Sequence, residues 1–139
     1  MLRQHMLRLS KHFSMCLIKT WLNAWNTGTR FHDEFVLPCV FGCPGMEDST
    51  AHYVRCPLLW RCASDCTGVP LRYPYIHNLF ILSFDRRTVS NVVNVFNVYH
   101  TIRTTFHHHA VDAAMSGDFS FIQLKARALA KATARKFSQ

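Results

Sequence analysis

Acidic residues are scarce in this sequence and absent from both of its ends. The chain has 8 Asp and Glu residues against 16 Lys and Arg, which gives a net charge of +8. No acid precedes Asp33 and none follows Asp118, so both ends are cationic while the middle is nearly balanced. Basic flanks of this kind suit a polyanion such as RNA or DNA, although they also serve solubility.

The sequence also lacks the carboxylate arrangements that phosphoryl-transfer enzymes need. It has no Asp pair of the Y-x-D-D type, and its scattered Asp and Glu residues do not form an endonuclease pattern. Such enzymes use paired carboxylates to hold two metal ions at the reacting phosphate. We therefore expect a chain that is not an enzyme.

Long apolar runs are missing as well. Charged or polar residues interrupt every hydrophobic stretch before it reaches the roughly 18 residues of a membrane-spanning helix, so we expect no membrane association. The start, MLRQHMLRLSKHF, lacks the apolar block of a secretory signal, which favours a reduced, intracellular chain in the nucleus or cytoplasm. Because this start is amphipathic and free of acids, it also resembles a mitochondrial transit peptide, and that compartment stays open.

The hydrophobic pattern predicts a mainly α fold, a single helical domain over 1–139 with a small embedded zinc-knuckle or finger module over 39–66. Apolar positions from Leu2 to Trp25 recur every three or four residues and predict a helix over 1–26. C-terminal helices are expected over 88–137, one from Ser90 to about Met115 and one from 121 to 137. The last helix is expected to turn inward Phe121, Leu124, Ala128, Leu129 and Ala132.

The module contains the pattern C-x3-C-x8-H-x3-C. Gly42 lets the chain fold back so that Cys39 and Cys43 face one point. His52 and Cys56 lie four residues apart, on one face of a helix capped by a residue of the 48–50 segment. Two such short-range pairs are typical of a structural Zn²⁺ site with four protein ligands and no open position. The predicted metal ligands are Cys39, Cys43, His52 and Cys56.

Three competing sites deserve comparison with this one. Cys62 and Cys66, also separated by three residues, are an alternative second pair for a four-cysteine site. The segment from His32 to Cys43 imitates a zinc-deaminase signature, but its two halves are too close in sequence to lie on separate helices. The run His107-His108-His109 cannot chelate one ion, because successive helical residues point about 100° apart.

Residues 19–62 resemble a known family. The stretches TWLNAWNTGTRFHDEF and CVFGCPGMEDSTAHYVRCPLLW are similar to the zinc-binding segment near the C-terminal end of non-LTR retrotransposon reverse transcriptases. The resemblance implies the same four ligands and a module that follows the polymerase and helps to hold RNA or DNA. The first cysteine pair here is separated by three residues, whereas two are more usual in that family. By position, the framework residues would be Trp21, Arg30, Phe31, Tyr53, Pro57 and Trp60.

Taken together, these features predict a non-catalytic, zinc-binding domain that binds RNA or DNA through phosphate contacts. The alternative is a zinc-stabilised helical protein-interaction module whose apolar helix face meets a partner such as the missing polymerase domain. The predicted nucleic-acid contacts are Arg30, Arg55, Arg61, Lys125, Lys131, Arg135 and Lys136.

Overall fold

The computed structural model describes residues 10–22, 24–25, 27–28, 34–71 and 86–137. This part of the chain is mainly helical, as predicted, and its one β feature is an isolated antiparallel bridge between Pro38 and Glu47. The described residues form the helices α1 (Lys11–Trp21), α2 (Thr50–Tyr53), α3 (Pro57–Thr67), α4 (Arg86–Thr105), α5 (His107–Ser116) and α6 (Ser120–Phe137).

Helix α1 is shorter than the sequence pattern predicts. The Ser10 side chain caps it by accepting a hydrogen bond from the Phe13 N–H, and the helix ends at Trp21 instead of continuing through Trp25. Trp25 leaves the helix because its indole is buried elsewhere and its Nε1–H donates to Thr20 Oγ1 at 3.0 Å. The first nine residues of the predicted helix lie outside the described part of the chain.

Helix α4 is the central element, since it packs against α1, α3 and α6. It begins at Arg86, before the predicted Ser90. Thr88 and Val89 are buried, so this extra turn packs against the core. The single helix predicted from Ser90 to Met115 is also wrong, because the backbone at Phe106 (φ −113°, ψ 28°) separates α4 from α5. Helix α5 ends as predicted at Gly117, whose φ of 77° places it in the left-handed conformation that suits glycine.

Helix α6 buries a different face from the one predicted. Its buried residues are Ile122, Ala126 and Ala130, spaced four apart along one face. Phe121 and Leu124 are exposed, as are Ala128 and Ala132, and Leu129 is half-buried. The two small alanines allow α6 to approach α3 and α4 closely, so backbone proximity decides the inward face instead of side-chain size.

Asn94 shows how close this approach is. Its Nδ2 donates a hydrogen bond of 3.0 Å from α4 to the carbonyl oxygen of Ala130 in the middle of α6. Both residues are fully buried. A hydrogen bond between a buried amide and a helix backbone fixes the register of the two helices, because sliding either one would break the bond from Nδ2.

Candidate metal centre

Cys39 and Cys43 lie in a short hairpin-like turn. The N–H of Cys39 donates to the Met46 carbonyl at 2.8 Å, and the N–H of Asp48 donates to the Leu37 carbonyl at 2.8 Å. Gly42 has a φ of 97°, and an added Cβ there would lie 2.9 Å from the Phe119 ring. The chain therefore folds back at a glycine, as predicted, and the turn packs directly against the residue that precedes α6.

His52 is presented by the single-turn helix α2. The Ser49 side chain caps this helix by accepting a hydrogen bond of 3.2 Å from the His52 N–H. The imidazole of His52 is buried, and its Nε2 has no hydrogen-bond partner among the described residues. A buried ring nitrogen without a partner is costly, and neutral imidazole is the commonest side-chain ligand of metal ions.

Cys56 does not lie on the same helix as His52, contrary to the prediction. Helix α2 ends at Tyr53, and Cys56 is the residue that precedes α3, with extended dihedral angles (φ −64°, ψ 113°). Pro57 explains the difference, because a proline disfavours helical angles in the residue before it while fitting the first turn of the helix that follows. The thiol of Cys56 is nevertheless brought to the same point by this turn between α2 and α3.

The four side chains converge as the sequence predicts. The ligand atoms of Cys39, Cys43, His52 and Cys56 all lie within 4.8 Å of one another, and all four residues are buried. The Cys56 Sγ is 3.9 Å from Cys39 Sγ and 3.6 Å from Cys43 Sγ. A tetrahedral ion with metal–sulfur bonds of about 2.3 Å would hold its sulfurs about 3.8 Å apart. This cluster can therefore hold a metal ion.

A disulfide does not explain these distances. Sulfur atoms in a disulfide are only about 2 Å apart, and all six cysteines of the chain are free. Cys62 and Cys66 lie on α3, are half-buried, and belong to no metal-ligand cluster among the described residues. The four-cysteine alternative is therefore not the arrangement that the fold assembles.

The pKa values of the three cluster cysteines shift in different directions. A hydrogen bond from the Cys56 thiol lowers the pKa of Cys39 to about 5, against the opposing effect of burial. The same hydrogen bond, together with burial, raises the pKa of Cys56, and burial raises the pKa of Cys43. A metal ion at the centre would favour deprotonation of all three, because the thiolate is the metal-binding form.

A buried carboxylate supports the metal cluster, although local sequence predicts for it only a possible role as a helix cap. Asp48 is fully buried. Its Oδ1 accepts hydrogen bonds from the hydroxyls of Tyr53 at 2.7 Å and Tyr99 at 2.8 Å, and its Oδ2 accepts one from the Gly28 N–H at 2.8 Å. Arg103 Nε lies 3.5 Å from Oδ2. Asp48 therefore ties the turn that carries Cys39 and Cys43 to the central helix α4.

Buried aromatic side chains surround Tyr53, whose hydroxyl donates to Asp48. Tyr53 directly follows His52, and its hydroxyl accepts a hydrogen bond of 3.1 Å from the Val40 N–H between the first two cysteines. Trp25 stacks on Tyr53 and Tyr99, with ring centroids 6.1 and 5.0 Å away. Trp60 Nε1 donates to the Tyr53 carbonyl at 2.9 Å. Every ring in this group is buried, so the ligand-bearing loops are held by packed aromatic side chains.

The predicted nucleic-acid contacts occupy different environments. Arg30 lies outside the described residues. Lys125 is half-buried, with its Nζ 5.7 Å from the Phe106 ring centroid and 5.5 Å from that of Phe121. The remaining predicted residues are exposed to solvent: Arg55, Arg61, Lys131, Arg135 and Lys136.

The histidine run begins α5, and its side chains diverge as expected. His107 accepts a hydrogen bond of 2.7 Å from Arg103 Nη1 through Nδ1, whereas His109 stacks on Phe121 with ring centroids 4.3 Å apart. His108 is exposed. None of the three joins a metal-ligand cluster within the described part of the chain.

Comparison with protein-family models, with curated proteins and with solved structures finds no match to this chain. Among the helices that the structure describes, none is long and apolar enough to cross a membrane. The features that bear on function are therefore the metal cluster and the surfaces beside it.

Proposed function

We propose that this chain is a non-catalytic, zinc-stabilised helical domain that binds nucleic acid. The observation that carries the proposal is the buried Cys39, Cys43, His52 and Cys56 cluster. Its position within a net positive chain supports the nucleic-acid part. The resemblance to the C-terminal segment of retrotransposon reverse transcriptases supports the same reading, so we propose that the chain derives from or belongs to such a protein.

The donor set favours zinc. Three thiolates and one imidazole are soft and borderline ligands of the type that select zinc over magnesium or calcium, which prefer oxygen. Four protein ligands complete a tetrahedron and leave no position for a water or substrate. A closed site contributes folding free energy instead of catalysis. For this reason the proposed role of the ion is structural.

A catalytic alternative elsewhere in the chain receives little support. Cys16, His12 and Asn97 lie together, which resembles a cysteine nucleophile with a base and an orienting amide. However, the same His12 atom, Nε2, contacts both Cys16 Sγ and Asn97 Oδ1. A catalytic histidine needs one ring nitrogen to take the proton from the thiol and the other to be held by the orienting group. Burial also raises the pKa of Cys16 to about 12, which keeps the thiol protonated.

Two measurements on the purified chain test the proposal. Metal analysis of protein prepared without added zinc should find one zinc per chain, because the four ligands close a single site. Binding of labelled DNA and RNA oligonucleotides should weaken as salt rises, since phosphate contacts release counterions. A chain without bound metal would contradict the zinc part, and undetectable oligonucleotide binding at low salt would contradict the nucleic-acid part.

A second candidate function is favoured by one surface feature. A groove of about 840 Å³ runs between the 35–47 segment and helix α5. Phe35 and Met115, both 84% exposed, lie at this groove, together with Val111 and Ala114. Exposed apolar side chains along a groove are typical of protein interfaces. This feature favours a protein-interaction module in which zinc only fixes the helices.

Salt dependence separates the two functions. Binding through phosphates weakens steeply between low and physiological ionic strength, whereas an apolar interface changes little. Replacing Phe35 and Met115 by Ser should leave oligonucleotide binding unchanged if the first function is right. Loss of oligonucleotide binding in that variant, with zinc retained, would instead place the nucleic acid on the apolar groove.

A further inference from the structure

Helices α3 and α6 pack against each other and leave a seam beside the metal module. A small groove of about 90 Å³ opens in this seam, and its lining includes Arg61 from α3 and Arg127 from α6. Phe41, from the turn between Cys39 and Cys43, also lines it. The seam therefore joins two arginines from different helices to the part of the chain that the metal ion would fix.

The cations of the seam are not matched by an equal number of acids. The carboxylate lining the groove is that of Asp65, which is exposed. Lys131 continues the seam, since it lies one helical turn after Arg127 on the same face, about 6 Å further along the axis. Burial raises the pKa of the neighbouring Cys66 thiol, and the charge of Lys131 opposes that effect.

We propose that this seam, with Arg61 and Arg127 at its groove and Lys131 one turn further along α6, binds the sugar–phosphate backbone of a nucleic-acid strand. The inference rests on the proposed function and adds the position of the strand. Arginine side chains suit this task because their planar guanidinium groups form paired hydrogen bonds with phosphate oxygens. The three cations come from α3 and α6, so the packing of these two helices sets the spacing of Arg61 from the other two.

The seam has the chemistry to contact backbone instead of bases. Its groove is small, and the one aromatic ring that lines it, Phe41, is buried and unavailable for stacking. Contacts to phosphate position a strand but carry no sequence information. Binding at the seam should therefore depend on charge and salt and be nearly independent of base sequence.

The first experiment compares charge-matched variants. Oligothymidylate binding to the zinc-loaded chain is measured by fluorescence anisotropy from 50 to 200 mM salt. In Arg61→Gln/Arg127→Gln we expect the salt slope to fall by about 0.7 for each cation removed, the value for single strands. The control Lys11→Gln/Arg87→Gln removes the same two charges from exposed positions on α1 and α4, and its slope should stay at the wild-type value.

A further variant predicts a gain instead of a loss. Asp65→Asn removes the carboxylate that lines the groove, so oligothymidylate should bind about two- to fivefold more tightly, the effect expected of one exposed charge. Zinc content and the helical circular dichroism signal should be unchanged in all of these variants, because each altered side chain is exposed. An unchanged affinity in Asp65→Asn would contradict a phosphate at this groove.

Cysteine protection gives an independent measurement. Cys62 and Cys66 are half-buried, but only Cys62 lines the groove, whereas Cys16 and the three cluster cysteines are buried. Saturating oligothymidylate should slow alkylation of Cys62 in the zinc-loaded chain. If the wild type binds but Cys62 is not protected and the arginine variant matches the control, the seam is wrong while the proposed function survives. If the wild type binds no oligonucleotide at any salt concentration, the proposed function itself fails.

Discussion

The carboxylate of Asp48 and the hydroxyl of Tyr99 are joined by a hydrogen bond of 2.8 Å, although 51 residues separate them in the sequence. The same Oδ1 atom accepts the hydroxyl of Tyr53, which follows His52 directly. One buried oxygen thus connects the metal-ligating loops to the central helix α4. A change at Asp48 should consequently affect both the metal module and the helical core.

Asp48→Asn tests this connection. The amide keeps one acceptor oxygen but loses the charge that faces Arg103, whose side chain is only 13% exposed. Leaving a buried charge without its partner typically costs about 3–5 kcal/mol. We expect a loss of roughly 3 kcal/mol in the free energy of unfolding, measured by urea denaturation of the zinc-loaded protein. Tyr99→Phe, which removes a single hydrogen bond, should cost about 1–2 kcal/mol.

Equal stability of Asp48→Asn and wild type would contradict the role given to this carboxylate. Glu47→Gln is a suitable control, because Glu47 is the adjacent acid and is exposed. Its removal should change the free energy of unfolding by less than about 0.5 kcal/mol.

Substitution of the cluster cysteines should release the metal ion. Cys56 is the most informative position, because its Sγ lies 3.9 Å from Cys39 Sγ and 3.6 Å from Cys43 Sγ. We expect Cys56→Ser to contain well under one zinc per chain by metal analysis and to lose helical circular dichroism signal. Cys62→Ser and Cys66→Ser should keep full zinc content. The opposite pattern would assign the second pair of ligands to α3.

Glycine at position 42 should be required by both its backbone angle and its surroundings. The φ of 97° is unfavourable for any residue with a Cβ, and that atom would lie 2.9 Å from the Phe119 ring. Gly45 provides a matched control, because its φ is also positive (68°) but nothing lies within 4 Å of an added Cβ.

We expect Gly45→Ala to cost about 1–2 kcal/mol from backbone strain alone. Gly42→Ala should cost about 1–3 kcal/mol more, because Phe119 must move. Urea unfolding of both variants with zinc present measures the difference. Equal losses would mean that Phe119 yields without cost.

A buried histidine should make the fold sensitive to acid. Burial lowers the pKa of His100 from 6.5 to about 4, and Lys19 adds to this effect. The folded state therefore binds the proton less readily than the unfolded state between these values. The stability contributed by neutral His100 is complete above about pH 6.5 and is lost progressively as the pH falls toward 4.

His100→Phe removes this titration. The free energy of unfolding of the wild type should fall more steeply between pH 6.5 and 5 than that of the variant, by about 1 kcal/mol per pH unit. Both proteins contain the same metal cluster, so acid release of zinc affects them equally and cancels in the comparison. His108→Phe, at an exposed position, should keep the wild-type slope. Parallel curves for wild type and His100→Phe would contradict the prediction.

The sequence predicted those features that depend on local spacing. The mainly helical class follows from apolar periodicity, and the convergence of Cys39, Cys43, His52 and Cys56 follows from two short-range pairs that turns bring together. The prediction of the inward face of α6 was wrong. Large apolar residues were expected inside, whereas the buried Ala126 and Ala130 allow α6 to approach its neighbouring helices more closely. The role of Asp48 needed Tyr99 on another helix, and local sequence carries no signal for such a contact. The resemblance to retrotransposon reverse transcriptases stays a prediction.

Removal of the metal ion should loosen one part of the chain before the rest. Cys56 is a proposed ligand and lies directly before the first residue of α3. Losing the ion should therefore free the α2–α3 turn as well as the turn between Cys39 and Cys43. Helices α4 and α6 keep their own contacts, including the Asn94 to Ala130 hydrogen bond. Hydrogen exchange with mass spectrometry should therefore show faster exchange in residues 37–67 after chelation, with 86–137 still protected. Equal acceleration across both regions would mean that the ion holds the whole domain together in one cooperative unit, and unchanged exchange in 37–67 would show that the cluster holds no structural metal.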